Sequence, residues 1–157
     1  MGKGTFKEGM SFRREFSAGG VVYRKLKTQS SKLKIAWLVS RSAPSSLFPK
    51  AVWRLPKGWI NEGASSRETA IREVKEEGGI EAKIVKKIGA ITYFYNSSDK
   101  GRIFKSVTFY LMEWVKDLAE GFDEETSEIA WLPFDQAHQK LSYQGEKEIL
   151  KKAQGLL

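Results

Sequence analysis

Apolar positions along this chain change period several times, and the changes divide it into elements. The run FSAGGVVYRK, residues 16–25, is apolar and β-branched and predicts a strand, with Gly19 and Gly20 marking a close approach of another backbone. A polar stretch at 27–32 leads to a second predicted strand at 35–40, and 42–50, with two prolines and three serines, reads as a loop. A short extended piece at 53–55 leads into LPKG, residues 55–58, and a glycine-bounded loop closing at Gly63. The spacing then becomes helical over 65–77 and stops at Gly78-Gly79, a usual C-terminal glycine position. Two long stretches rich in β-branched and aromatic residues, 82–95 and 103–115, flank the turn-forming SSDKGR and predict a long hairpin. An acidic loop at 118–125 and a last strand at 127–132 follow. Pro133 opens a helical region that reaches about residue 153 and is expected to break near Gly145. Strands on both sides of a helix, with helices at the end, predict an α/β fold: a mixed β-sheet between helical layers.

The predicted helix at 65–77 carries the first chemical signal. At about 100° per residue, Glu73, Glu76 and Glu77 fall within an arc of about 100°, and Ala70, Ile71 and Val74 lie outside it, toward a core. Like charges at this spacing destabilise a helix. A hard divalent cation relieves that cost, because Mg²⁺ and Mn²⁺ take oxygen ligands and share them with phosphates. A plain solvated acidic face is the other reading of such a cluster.

Composition narrows the classes. The chain has 157 residues, enough for one domain with a real core, and is 41% hydrophobic and 12% aromatic, which excludes disorder. It has no cysteine, so disulfides, thiolate metal sites and cysteine nucleophiles are excluded. No apolar run approaches membrane-spanning length, and a cytoplasmic location without membrane partners is the expectation. The net charge of +8 suits either nucleic acid or a small polyphosphate. The basic residues are spread without an arm or tract, which favours the polyphosphate over nucleic acid.

The segment GWINEGASSRETAIREVKEEGGI, residues 58–80, closely resembles the Nudix box: glycine, five residues, glutamate, seven residues, then Arg-Glu-apolar-any-Glu-Glu-any-Gly-apolar. One defined position departs from it, since Ala64 stands where the box has its first glutamate. EFSAGGVV near the start, LPKG, the stretch Phe104 to Val107 leading into FYLM, and LSYQGEKEILKKA are similar to bacterial diadenosine polyphosphate hydrolases within that MutT-like family. The resemblance implies the Nudix fold, an α/β/α sandwich, as a single domain over 1–157. It implies Mg²⁺- or Mn²⁺-dependent pyrophosphohydrolysis of a nucleoside diphosphate linked to a group X. Asymmetric cleavage of diadenosine tetraphosphate to ATP and AMP is the favoured reaction. ADP-ribose, a nucleotide sugar, an oxidised dNTP, a diphosphoinositol polyphosphate or an RNA 5′ end are alternatives, as is a ligand-binding module without turnover.

By the same resemblance, Glu73, Glu76 and Glu77 are the metal ligands, joined by a backbone carbonyl near Lys57. Arg72 positions Glu73. With Ala64 in the first glutamate's place, Glu62 or Glu68 is expected to serve as the partner of Arg72. Glu125 is the candidate general base, with a surface acid in the DEETSE run as the plain reading. Lys105 shares strand parity with Val107, Phe109 and Leu111, so it faces inward and is costly unless paired. Together with Lys57 it is a candidate phosphate contact, and Arg41 and Arg54 are weaker ones. Tyr95 and Tyr143 are candidates for stacking on a base, with core or rim packing the favoured reading of each. His138, the only histidine, is expected to be inert.

Overall fold

The structure, a computed structural model, describes residues 3–6, 10–46 and 48–157. Its elements run β1 (Lys3–Phe6), β2 (Met10–Lys27), β3 (Leu33–Ser42), β4 (Trp53–Arg54), β5 (Lys57–Trp59), α1 (Ser66–Gly78), β6 (Ile80–Ser97), β7 (Gly101–Asp117), β8 (Thr126–Leu132), α2 (Phe134–Lys140) and α3 (Gln144–Gly155). Of the loop expected at 42–50, residue 47 lies outside the described residues. The sheet is mixed, in the order β4-β3-β2-β7-β6, with β1 and β5 also on β2 and β8 on β3. Among the described residues only β2 and β7 pair in parallel, from Arg13 opposite Ile103 to Tyr23 opposite Glu113.

Side chains alternate across this sheet and form two cores. Val21, Trp37, Val39, Val107, Phe109 and Leu111 pack under Ile149, Leu150 and Ala153 of α3. Ala18, Val22, Leu38, Tyr110 and Met112 take the opposite face, against Ala70 and Val74 of α1. Helices therefore cover both faces, and the expected α/β/α layering is present. No helix among the described residues is long and apolar enough to cross a membrane.

The box helix is defined at both ends by local chemistry. Ser65 caps it: its Oγ accepts from the Glu68 N–H at 3.1 Å, and Glu68 Oε1 accepts from the Ser65 N–H at 3.3 Å. Gly79 closes it with φ 67°, its N–H donating to the Lys75 carbonyl at 2.9 Å. A Cβ there would also come within 2.6 Å of the Phe122 backbone nitrogen. The close approach expected at Gly19-Gly20 is equally concrete. A Cβ on Gly19 would sit 2.2 Å from the Pro56 carbonyl oxygen, and one on Gly20 would sit 2.6 Å from Val74. The strand bearing these glycines thus lets the box loop dock on one residue and the box helix on the next.

The C-terminal helical region breaks near Gly145 as expected, at 141–143, with Gly145 itself in the first turn of α3. There its missing side chain admits Ile91, whose Cγ2 lies 3.2 Å from where a Cβ would stand, so the glycine serves packing and not a break. One expectation is corrected: the strand at LPKG does not end where the glycine-bounded loop was expected to open, because β5 runs on to Trp59 and pairs with β2 at Ser17, Ala18 and Gly19.

Candidate active site

The hairpin-like return through β4 and β5 places the start of the box against α1. Gly58 faces Glu73 so closely that a Cβ on it would lie 2.2 Å from both Cδ and Oε1 of that carboxylate. Arg72 Nη1 lies 3.0 Å from Glu73 Oε1 and 3.2 Å from Glu76 Oε2, while Nη2 donates to the Trp59 carbonyl at 3.1 Å. This corrects the expectation that Glu62 or Glu68 replaces the missing first box glutamate. Glu68 is committed to the helix cap, and a backbone carbonyl completes the partners of Arg72.

Glu77 is held from the opposite side. Its Oε1 accepts from the Lys57 N–H at 3.0 Å, and its Oε2 lies 3.3 Å from Arg54 Nη2. That arginine nitrogen also donates to the Glu125 carbonyl at 3.1 Å. Glu73 and Glu77 are both buried, so the acidic arc is not a solvated face. Burial raises the pKa of Glu77 to about 7, against the lowering effects of Arg54 and the Lys57 N–H, with Glu73 adding to the rise. Burial also raises Glu73; Arg72 opposes it, and the charges of Glu76, Glu125 and Asp123 reinforce it.

Among the described residues no three acidic or imidazole side chains are already gathered around a common metal position. The donor set nevertheless fits a hard dication: three carboxylates on one arc of α1, two of them buried where the surrounding cations under-compensate them.

Two cavities meet at this point. A cleft of about 810 Å³ is lined by Arg54, Lys57, Gly58, Arg72, Glu73, Glu76 and Glu125, among others. An apolar cavity of about 510 Å³ lies between the β6–β7 hairpin and α3, walled by Ile91, Tyr93, Val107, Phe109, Tyr143 and Glu146. Lys57 and Tyr143 line both. The ammonium of Lys57 pairs with buried Glu146, whose other oxygen accepts from the Leu55 N–H at 2.7 Å.

The other candidates stand apart from these cavities. Lys105 faces inward as its parity predicts, directly opposite Glu15 in the β2–β7 register. Its Nζ lies 3.8 Å from Glu15 Oε1 and 4.4 Å from the centre of the Trp59 ring. Burial lowers its pKa, Glu15 opposes this, and Lys57 and Lys100 add to it. Tyr95 donates to Glu15 Oε1 at 2.6 Å. Arg41 pairs with Glu128 at 3.9 Å. His138 packs on Phe134, 5.6 Å between ring centres. Sequence reasoning missed Glu15, Gly58's contact, Tyr93 and Glu146. The parity that exposed Lys105 also pointed to an inward partner, and Glu15 on β2 is the acid that answers it.

The family model described as NUDIX domain matches residues 14–153, and the chain belongs to that family. The MutT4 protein of Mycobacterium tuberculosis is 33% identical over 143 residues, covering 91% of this chain and 56% of that protein. This chain thus spans about half the length of that relative. The asymmetrical bis(5′-nucleosyl)-tetraphosphatase of Rattus norvegicus is 31% identical over 107 residues, 67% of this chain and 71% of the rat protein. Among solved structures, a binary complex of a C. elegans Ap4A hydrolase superposes with TM-score 0.69 and 26% identity, covering 90% of this chain and 96% of that one.

Proposed function

We propose that this protein is a divalent-metal-dependent pyrophosphohydrolase whose substrate is a dinucleoside polyphosphate, cleaved asymmetrically; for diadenosine tetraphosphate the products are ATP and AMP. The observation that carries the reading is the junction of the two cavities at Lys57. An apolar, tyrosine-walled cavity suits a nucleobase. It adjoins, across Lys57 and Tyr143, a cleft where cations and box carboxylates lie side by side. The kinship to the rat tetraphosphatase and the nematode Ap4A hydrolase supports the substrate class.

Glu73, Glu76 and Glu77 would hold Mg²⁺ or Mn²⁺, which when bound neutralises phosphate charge and acidifies water. The protein's own part is positioning. Arg72 aims Glu73 and Glu76, and Gly58 gives Glu73 room. Lys57 and Arg54 line the cleft as phosphate contacts, each already paired with a carboxylate that fixes its reach. Glu125, on the cleft wall, accepts the proton of the attacking water. Because the base is held in one cavity and the carboxylates lie at a fixed distance from it, water enters at a set phosphorus, away from the midpoint of the chain. A panel of diadenosine tetraphosphate, ADP-ribose, nucleotide sugars and oxidised dNTPs with Mg²⁺ tests the reading. The dinucleotide has the highest kcat/KM if it holds, and faster turnover of ADP-ribose or an oxidised dNTP overturns it.

A further inference from the structure

Two aromatic side chains on the charged cleft have no role in the chemistry just described. We infer that Trp59 and Phe48 form the stacking site for the second nucleobase of a dinucleoside polyphosphate, so that this cleft, and not the phosphates alone, selects a two-base substrate. The inference rests on the dinucleotide reading above and assigns to it the residues that set specificity.

Trp59 is fixed in place but open to the cleft. Its backbone is paired with Ser17 in the sheet, its carbonyl accepts from Arg72 at 3.1 Å, and its side chain is still 43% exposed. Lys105 and Lys100 place their ammonium groups 4.4 and 5.4 Å from its ring centre, which orients the indole and puts positive charge beside any ligand lying on it. Phe48 is 75% exposed, yet its backbone is not loose. Its N–H donates to Ser45 Oγ at 3.0 Å and its carbonyl accepts from the Ser45 N–H at 2.9 Å.

A single exposed phenylalanine is ordinary on a protein surface. Here, however, Phe48 and Trp59 line the same cleft, and Tyr143 at the junction is the other aromatic residue among its described walls. The remaining walls are largely polar or charged, including Lys50, Arg72 and the carboxylates. Tyr143 belongs equally to the first-base cavity. A ligand with one base fills that cavity and leaves Trp59 and Phe48 unused. A ligand with a base at each end of its phosphates uses both. Aromatic stacking is tolerant of base identity, so the site is expected to count bases more than to read them.

The test compares kcat/KM for diadenosine tetraphosphate and for adenosine 5′-tetraphosphate, which has the same phosphates and one base. Trp59→Leu and Phe48→Ala each lower the two-base over one-base preference by about tenfold, the worth of one stacked base, and Trp59→Phe retains it. An unchanged preference in both variants overturns the inference. So does an equal fall for both compounds, which marks a structural role. Failure of the function itself shows differently: wild-type protein that does not cleave diadenosine tetraphosphate removes the dinucleotide reading, and this site with it, before any variant is made.

Discussion

Gly58 and Glu73 are in contact across the β5–α1 interface: a Cβ on Gly58 would stand 2.2 Å from the Glu73 carboxylate. This contact, rather than the helix alone, sets where Glu73 sits. Gly58→Ala therefore displaces the carboxylate more than it harms the fold. Overpacking of this kind costs about 1–3 kcal/mol. Misplacing a catalytic group by about 1 Å costs about a hundredfold in rate. Urea unfolding and steady-state kinetics on the same variant check both. A variant with wild-type kcat removes Glu73 from the machinery.

Glu77 is buried between Arg54 and the Lys57 N–H, with a pKa raised to about 7. Glu77→Gln retains an acceptor for the N–H and relieves like-charge repulsion on α1. Its metal-free melting temperature is therefore expected to hold or rise slightly. Turnover is expected to fall about a hundredfold or more, and the Mg²⁺-induced rise in melting temperature to shrink. Differential scanning calorimetry with and without Mg²⁺ separates these effects. Near-wild-type turnover in both Glu76→Gln and Glu77→Gln contradicts the metal assignment.

Lys57 and Lys105 look alike in sequence and differ in structure. Lys57 lines both cavities and also pairs with buried Glu146, so Lys57→Met is expected to lose a charge-assisted phosphate contact, about 1.5–3 kcal/mol in kcat/KM, as well as some stability from the unpaired Glu146. Lys105 sits behind Trp59 against fully buried Glu15, so Lys105→Met leaves that carboxylate with the Tyr95 hydroxyl and the more exposed Lys100, 3.9 Å from its Oε2, as its remaining partners. Breaking a buried pair costs about 3–5 kcal/mol, and the 3.8 Å separation puts this one at the low end. Adding Glu15→Gln is expected to restore most of the loss. Chemical denaturation of the two single variants and the double variant decides it, and additive losses contradict the pairing.

The helix, its C-terminal stop and the hairpin were legible because each is written in local sequence: Gly79 at φ 67°, and turn residues between two β-rich runs. The Ser65–Glu68 cap is equally local but went unread, Glu68 having been given to Arg72. The face of Lys105 was legible from alternation. Its partner was not, because Glu15 is brought beside it only by the parallel β2–β7 register. Parity likewise places Tyr93 and Tyr95 on one face of β6, but it does not say where the apolar cavity ends. The register sets Tyr93 opposite Lys105 and Tyr95 opposite Ile103, and only Tyr93 reaches the cavity. Glu146 carried no local signal either, since its contacts with Leu55 and Lys57 depend on where α3 docks.

The Tyr95–Glu15 hydrogen bond has a signature at high pH. Burial and the Glu15 carboxylate raise the Tyr95 pKa from 10.0 to about 12. A folded-state pKa above the unfolded one means this stabilisation is complete below pH 10 and is lost as pH rises toward 12. The stability gap between wild type and Tyr95→Phe is therefore expected to narrow across that window, as followed by thermal melting in a pH series. A constant gap means that Tyr95 does not donate to Glu15.

Asymmetric cleavage of a dinucleoside polyphosphate at the junction of the two cavities is tested most directly by incubating the protein with diadenosine tetraphosphate and Mg²⁺ and separating the products by anion-exchange chromatography. Equal amounts of ATP and AMP are expected, with no product when Mg²⁺ is chelated. ADP as the sole product contradicts the fixed distance between base and carboxylates, and absence of turnover contradicts the substrate assignment.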